Sequence, residues 1–275
     1  MNRLTILVDI ASRAMLSTIG SPRTVAGAVA IDTSAIYDIR AEASRLPKWG
    51  DCTPDNAAHA VDLLTSQAVS VAIVSLNRET DAWQRFIKDA NILHEAIILD
   101  SKLVAGWAKA ANLLKFVLLS SACAAATGHA IGADRRPRIV SPQGYQLVEC
   151  ATICDNEIEG KENLEIFKSL WGEQHIPKAK LARLGVQMIS ESVAVTTDDE
   201  EPCLLLADYA AGLGLASVLD APGRLPLPVT QHRAKDLLLI LKSRNKLVFQ
   251  EEDFDSSYDE IFKDVMAKAR ELGDR

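Results

Sequence analysis

The sequence predicts an α/β protein: a mixed sheet of about five strands flanked by helices, with a helical C-terminal extension. Three observations lead there. Short apolar runs rich in β-branched residues recur at positions 4–8, 24–31, 69–76, 147–154 and 186–195. Segments with helical spacing or capping residues lie between and after them. The order is strands first, then a helical block, then strands alternating with helices, which suits one mixed sheet.

The elements follow in turn. Residues 4–8 form a buried strand ending at Asp9, and 24–31 (TVAGAVAI) a second strand after a connection holding Ser, Gly and Pro. Asp32, Thr33 and Ser34 offer helix caps for a helix over 35–46, which the stretch 47–51 (PKWGD) stops. Thr53-Pro54-Asp55 opens a helix to about residue 67, with Pro54 suited to its first turn. Residues 69–76 (VSVAIVSL) are the clearest strand. Helical material is expected over 79–98, where Trp83, Phe86, Ile87 and Ala90 share a face, and over 101–126. Arg135, Arg136 and Arg138 lie in a loop or linker, residues 147–154 form a strand ending at Asp155, and 160–171 a helix. After the strand at 186–195 comes an acidic turn, then an almost wholly apolar helix over 203–219. The tail from residue 231 reads as two amphipathic helices joined by an acidic loop. This gives a domain over 1–220, with a helical insertion at about 79–130, and a helical extension over 221–275.

Composition narrows the function classes. The chain has 275 residues, 48% hydrophobic and 24% charged, and so can bury a sizeable core. A net charge of −7 supplies no basic field for constitutive nucleic-acid capture. It leaves room for a nuclease, whose site is itself acidic and takes its positive charge from metal. Cys52, Cys123, Cys150, Cys154 and Cys203 lack metal-type spacing and read as reduced core thiols of a cytoplasmic protein. The weakly polar stretch 116–128 is shorter than the roughly 20 residues of a membrane span, so it reads as a core helix and no membrane partner is expected.

Asp208 is the most informative residue. It is the sole charge between Cys203 and Leu219. A helix apolar on all sides is a buried helix, and a carboxylate there needs a cation, a metal, strong donors or a water-filled opening. Asp9 and Asp155 each end an apolar strand, the usual ligand-binding rim of open sheets with parallel strands. Brought together, the three would repel one another unless divalent cations neutralised them, and Mg²⁺ or Mn²⁺ suits an all-oxygen set. The blander alternatives are a turn or cap role for Asp9 and Asp155, and a structural ion pair of Asp208 with Lys48 or an arginine. The acidic run 198–201 reads as a solvated turn favouring the start of the Asp208 helix. The five histidines show no ligand spacing, and no phosphate-cradling glycine loop or nucleophile elbow occurs.

The segment Leu204-Leu205-Leu206-Ala207-Asp208-Tyr209-Ala210-Ala211-Gly212 resembles the LQLADLIAG motif of the domain of unknown function 3800 family, which is grouped with ribonuclease-H-like folds. Asp9-Ile10-Ala11-Ser12 aligns with that family's Asp-Glu-Ser-Gly strand motif. Leu46-Pro47-Lys48-Trp49 aligns with its Glu-x-Lys segment, and Cys154-Asp155 with a later strand-terminal Asp. The order of elements is similar over roughly residues 1–220. The resemblance implies a divergent ribonuclease-H-like nuclease in which Asp9, Asp155 and Asp208 bind Mg²⁺ or Mn²⁺, Lys48 contacts a phosphate or positions water, and nucleic acid is the partner. The chain departs from the pattern at Ile10 and Leu46, where glutamates are expected. Glu157 or Asp51 could supply the missing acid. The departures also motivate a second reading: a catalytically degenerate binding or assembly module, joining a homodimer or protein partner through Leu237, Leu238, Ile240, Leu241, Ile261 and Val265.

Overall fold

The computed structural model describes residues 3–11, 23–77, 80–81, 84–85, 110–133, 140–156, 158, 161–219 and 227–252. Within them lies a six-stranded sheet of β1 (Arg3–Ile10), β2 (Arg23–Asp32), β3 (Ala68–Asn77), β4 (Gln146–Asp155), β5 (Val186–Thr196) and β6 (Leu247–Glu251), in the order β5-β4-β1-β2-β3-β6. The first three strands form an antiparallel meander. β4 joins parallel to β1, β5 parallel to β4, and β6 parallel to β3. The expected mixed α/β sheet is therefore present, with one strand more than anticipated.

Seven helices are described: α1 (Ile36–Ala43), α2 (Pro54–Gln67), α3 (Ala110–Ala133), α4 (Lys161–Glu173), α5 (His175–Arg183), α6 (Leu204–Val218) and α7 (Gln231–Ser243). The local chemistry of the first two is as read from the sequence. Asp32 accepts the Ser34 N–H and caps a 3-10 turn leading into α1. Thr53 and Asn56 cap each other reciprocally at the start of α2, with Pro54 in its first turn.

Side chains alternate across the sheet and build two cores. Ile6, Val8, Ile10, Ala28 and Val74 pack under α3, together with Phe167, Leu170 and Trp171 of α4. Leu7, Val25, Val29 and Ile73 pack under α6, joined by α1, α2 and α7. α6 lies so close to the sheet that a Cβ on Gly27 would sit 2.5 Å from the Ala211 nitrogen and 2.6 Å from the Ala207 oxygen. α3 is the one helix among the described residues long and apolar enough to cross a membrane, but 83% of its apolar window, Leu114–Gly132, is buried inside the fold. It is a core helix, as expected.

The tail differs from its expected form. α7 packs on α6 and α2, and β6 extends the sheet beside β3. Residues 231–251 thus share the core and sheet of the preceding chain instead of forming a helical extension. β6 was illegible because five residues among polar neighbours carry no usable periodicity. Its strand character comes from β3, whose Val71 N–H donates to the Lys246 carbonyl at 2.6 Å. Beyond β6, Glu252 is buried: its N–H donates to the Ser75 carbonyl at 2.8 Å and its carboxylate pairs with Lys180 at 3.0 Å. α5 was also unforeseen. It follows Gln174, which adopts a left-handed conformation (φ 50°). Most of the helix expected at 79–98, the start of that at 101–126, the three loop arginines, Glu157, Ile261 and Val265 lie outside the described residues.

Candidate functional site

The parallel half of the sheet sets the site. β1 and β4 run side by side, their pairing ending at Val8 and Cys154. Asp9 and Asp155 follow directly, at the carboxyl ends of adjacent parallel strands. Residues paired across a sheet share a face. Asp9 pairs with Gly27, whose missing Cβ points at α6. Asp9 and Asp155 therefore face the side on which α6 lies, and α6 carries Asp208. Asp155 in turn pairs with Thr196 at the end of β5, and Asp198 stands two residues further on.

Four acidic residues thus stand along one rim, from three neighbouring strand ends and one crossing helix, with Asp155 and Asp198 near enough to Asp208 to act on its charge. Asp9 is buried, and its Oδ1 accepts the Ile10 N–H at 2.6 Å. Asp155 Oδ1 accepts the Asn156 N–H at 2.8 Å. Asp208 Oδ2 accepts the Trp49 N–H at 2.8 Å. Asp198, with its side chain 14% exposed, pairs through Oδ1 with Lys48 Nζ at 2.9 Å. Burial, against the opposing pull of the Trp49 N–H, raises the Asp208 carboxyl to about 6, and the charges of Asp155 and Asp198 push it the same way while Lys48 lowers it. The Lys48 ammonium is held above its ordinary range chiefly by its bond to Asp198, with Asp198, Asp199 and Asp155 adding attraction. These influences place Lys48, Asp155, Asp198 and Asp208 within electrostatic reach of one another.

The support beneath Asp208 is aromatic. Trp49 opens a 3-10 turn (Trp49–Asp51) whose indole lies directly on Gly212, where a Cβ would overlap the ring. Tyr209 meets Trp49 edge to face, with centroids 5.6 Å apart at 84°. Trp49 is buried and packs in the core.

Asp198 is the residue that sequence reasoning missed. The run 198–201 is not simply solvated: Asp198 holds Lys48, and Glu201 takes both arms of Arg40 while accepting the Cys203 N–H at the start of α6. The signal was available, since Asp198 follows β5 much as Asp155 ends β4. The two departures from the family pattern also fall differently in space. Ile10 points into the α3 core, on the sheet face opposite Asp9, so a carboxylate there would not join this group. Leu46 is buried on the α6 side. All five cysteines are buried and unbridged.

A divalent ion is compatible with the donor chemistry, because every candidate ligand is a carboxylate oxygen and a cation, the Lys48 ammonium, already stands among them. As arranged here, however, no three His, Cys, Asp or Glu side chains among the described residues are placed to hold a metal ion. No protein-family model matches the chain, and no curated protein shows significant similarity to it.

Proposed function

We propose that this chain is a ribonuclease-H-like, metal-dependent phosphodiester hydrolase acting on nucleic acid. The observation that carries the reading is the placement of Asp9 and Asp155 on one face at the carboxyl ends of adjacent parallel strands, with Asp208 on the helix that crosses that face within reach of Asp155. The mixed sheet and the Asp208 motif, which resembles that of the domain of unknown function 3800 family, support it further. When bound, Mg²⁺ or Mn²⁺ supplies Lewis acidity for attack of water on a phosphodiester. The three aspartates would hold the cation, with Asp198 a further carboxylate if Lys48 moved away. Lys48, 59% exposed, is long enough to reach a phosphate of the bound strand. The Trp49 N–H and the Trp49–Gly212 contact fix Asp208 in place. The buried, unbridged thiols support a cytoplasmic setting.

The test is cleavage of single- and double-stranded DNA and RNA with Mn²⁺ or Mg²⁺. Asp208→Asn should lower the rate by about a hundredfold or more, the scale expected for losing one preorganised electrostatic group. Absence of cleavage across the substrates, or equal cleavage by the variant, would sink the enzyme reading. One observation favours a second reading, the catalytically degenerate module: the carboxylates already have internal partners in Lys48 and the Trp49 N–H. Nucleic-acid or protein binding without any metal-dependent cleavage would select it.

A further inference from the structure

The stretch Lys48–Trp49 touches the acidic rim twice. The Trp49 backbone N–H holds Asp208 at 2.8 Å, while the Lys48 ammonium holds Asp198 at 2.9 Å. Consecutive residues thereby tie the turn after β5 to α6, and they do so with a positive charge set among carboxylates. Trp49 is wedged on Gly212, so its backbone has little freedom. Lys48 is different: its side chain is 59% exposed and is anchored by a single ion pair. A lysine stem is flexible, and its end here is largely in solvent although Asp198 is mostly covered. One half of the clip is therefore fixed, and the other is held by one ion pair.

We propose that Lys48 is the resident counter-ion of this site, and that a divalent cation enters the carboxylate group by displacing the Lys48 ammonium from Asp198. The inference rests on the metal-dependent reading above and deepens it. The ammonium takes up Asp198, and its charge also acts on Asp155 and Asp208 across a rim where no three acidic side chains among the described residues are arranged to chelate. No bond is made or broken in the exchange. An ion pair opens, the carboxylates turn to the entering cation, and the released ammonium becomes available to a phosphate. Lys48 is in this view a positioning residue, and the site stays closed to weakly binding cations until the pair is opened.

The experiment is calorimetric titration of the full chain with Mn²⁺ at low salt, comparing wild type with Lys48→Met, Lys48→Gln and Arg45→Met. Arg45 pairs with Glu42 on the surface, so its loss changes the net charge equally without touching the rim. Removing one cation that sits against the carboxylates should tighten Mn²⁺ binding about tenfold or more in both Lys48 variants. Arg45→Met should stay within about twofold of wild type, because exposed charges at a distance are screened. Two different replacements of one exposed side chain guard against misfolding, and thermal unfolding of each variant verifies it. If the Lys48 variants bind Mn²⁺ no more tightly than Arg45→Met, the displacement idea is overturned while the metal site stands. If none of the four proteins binds Mn²⁺, the metal reading falls and this inference with it.

Discussion

The sheet is covered by two long apolar helices, α3 on one face and α6 on the other, and they treat their polar groups in opposite ways. On α3, Thr127 bonds back to the Cys123 carbonyl at 2.8 Å, and His129 meets the buried Ser70 hydroxyl at 2.9 Å. The first contact stays within the helix, and the second joins a half-buried ring to a hydroxyl of β3. On α6 one carboxylate, Asp208, sits beside Asp155, Asp198 and Lys48 at the rim. Its charge is shared among groups from four separate segments of chain. A fold needs the first arrangement for packing. The second adds nothing to packing, and it is where function is sought.

The two helices also differ in how tightly they are seated, and this yields the largest expected effect. Gly27→Ala would drive a Cβ into the α6 backbone at Ala207 and Ala211. Backbone on both sides cannot yield, so we expect a loss of about 3 kcal/mol or more in chemical denaturation. Gly128→Ala on α3 is the matched control. Its Cβ meets only side chains, with Leu184 Cδ1 at 3.2 Å and Leu181 Cδ2 at 3.6 Å. Better helix propensity offsets that crowding, leaving a change within about 1 kcal/mol. Equal losses in the two variants would remove the contrast between a clamped α6 and an adaptable α3.

Next in size is the cost of the Asp208 charge. With its carboxyl raised to about 6, the folded protein keeps a proton there that the unfolded chain releases near its ordinary value of about 4. The folded state then binds more protons between those values, so stability falls as pH rises from about 4 to 6 and the penalty is constant above. Its scale is about 2–3 kcal/mol. Asp208→Asn keeps an oxygen for the Trp49 N–H and loses the charge. In chelator, the variant should gain on wild type across that pH interval and melt higher at neutral pH, even as it loses cleavage. An Asn variant less stable than wild type at pH 8 would show that the carboxylate is structurally required.

Legibility in the sequence followed locality. The five expected strands were visible because each is a self-contained apolar run, and α6 because a single charge in an apolar stretch stands out. Asp9, Asp155 and Asp208 could be named for the same reason. What escaped depends on partners far along the chain. β6 is a strand because β3 offers it hydrogen bonds, and Asp198 belongs to the rim because β4 and β5 run parallel in register. Lys48 was named for its place in a motif, but its bond to Asp198 spans the whole domain and has no local signature. Ile10 shows the converse. It read as a lost ligand, yet the alternation of β1 puts it on the far face of the sheet.

The smallest expected effect sets the two helices against each other by sign. Burial lowers the pKa of His129, so the folded state favours the neutral ring beside Ser70 more than the unfolded chain does. Its contribution is fully present above the unfolded value of about 6.5 and is lost as pH falls through that value toward the folded one. Asp208 acts in the other direction, weakening the fold as pH rises toward 6. Thermal unfolding of His129→Gln should therefore lose the acid-side decline that wild type shows below about 6.5, while Asp208→Asn should make that decline steeper by removing the opposing slope. If His129→Gln leaves the acid side unchanged, the ring is already charged in the fold, and its pairing with Ser70 as a neutral group fails.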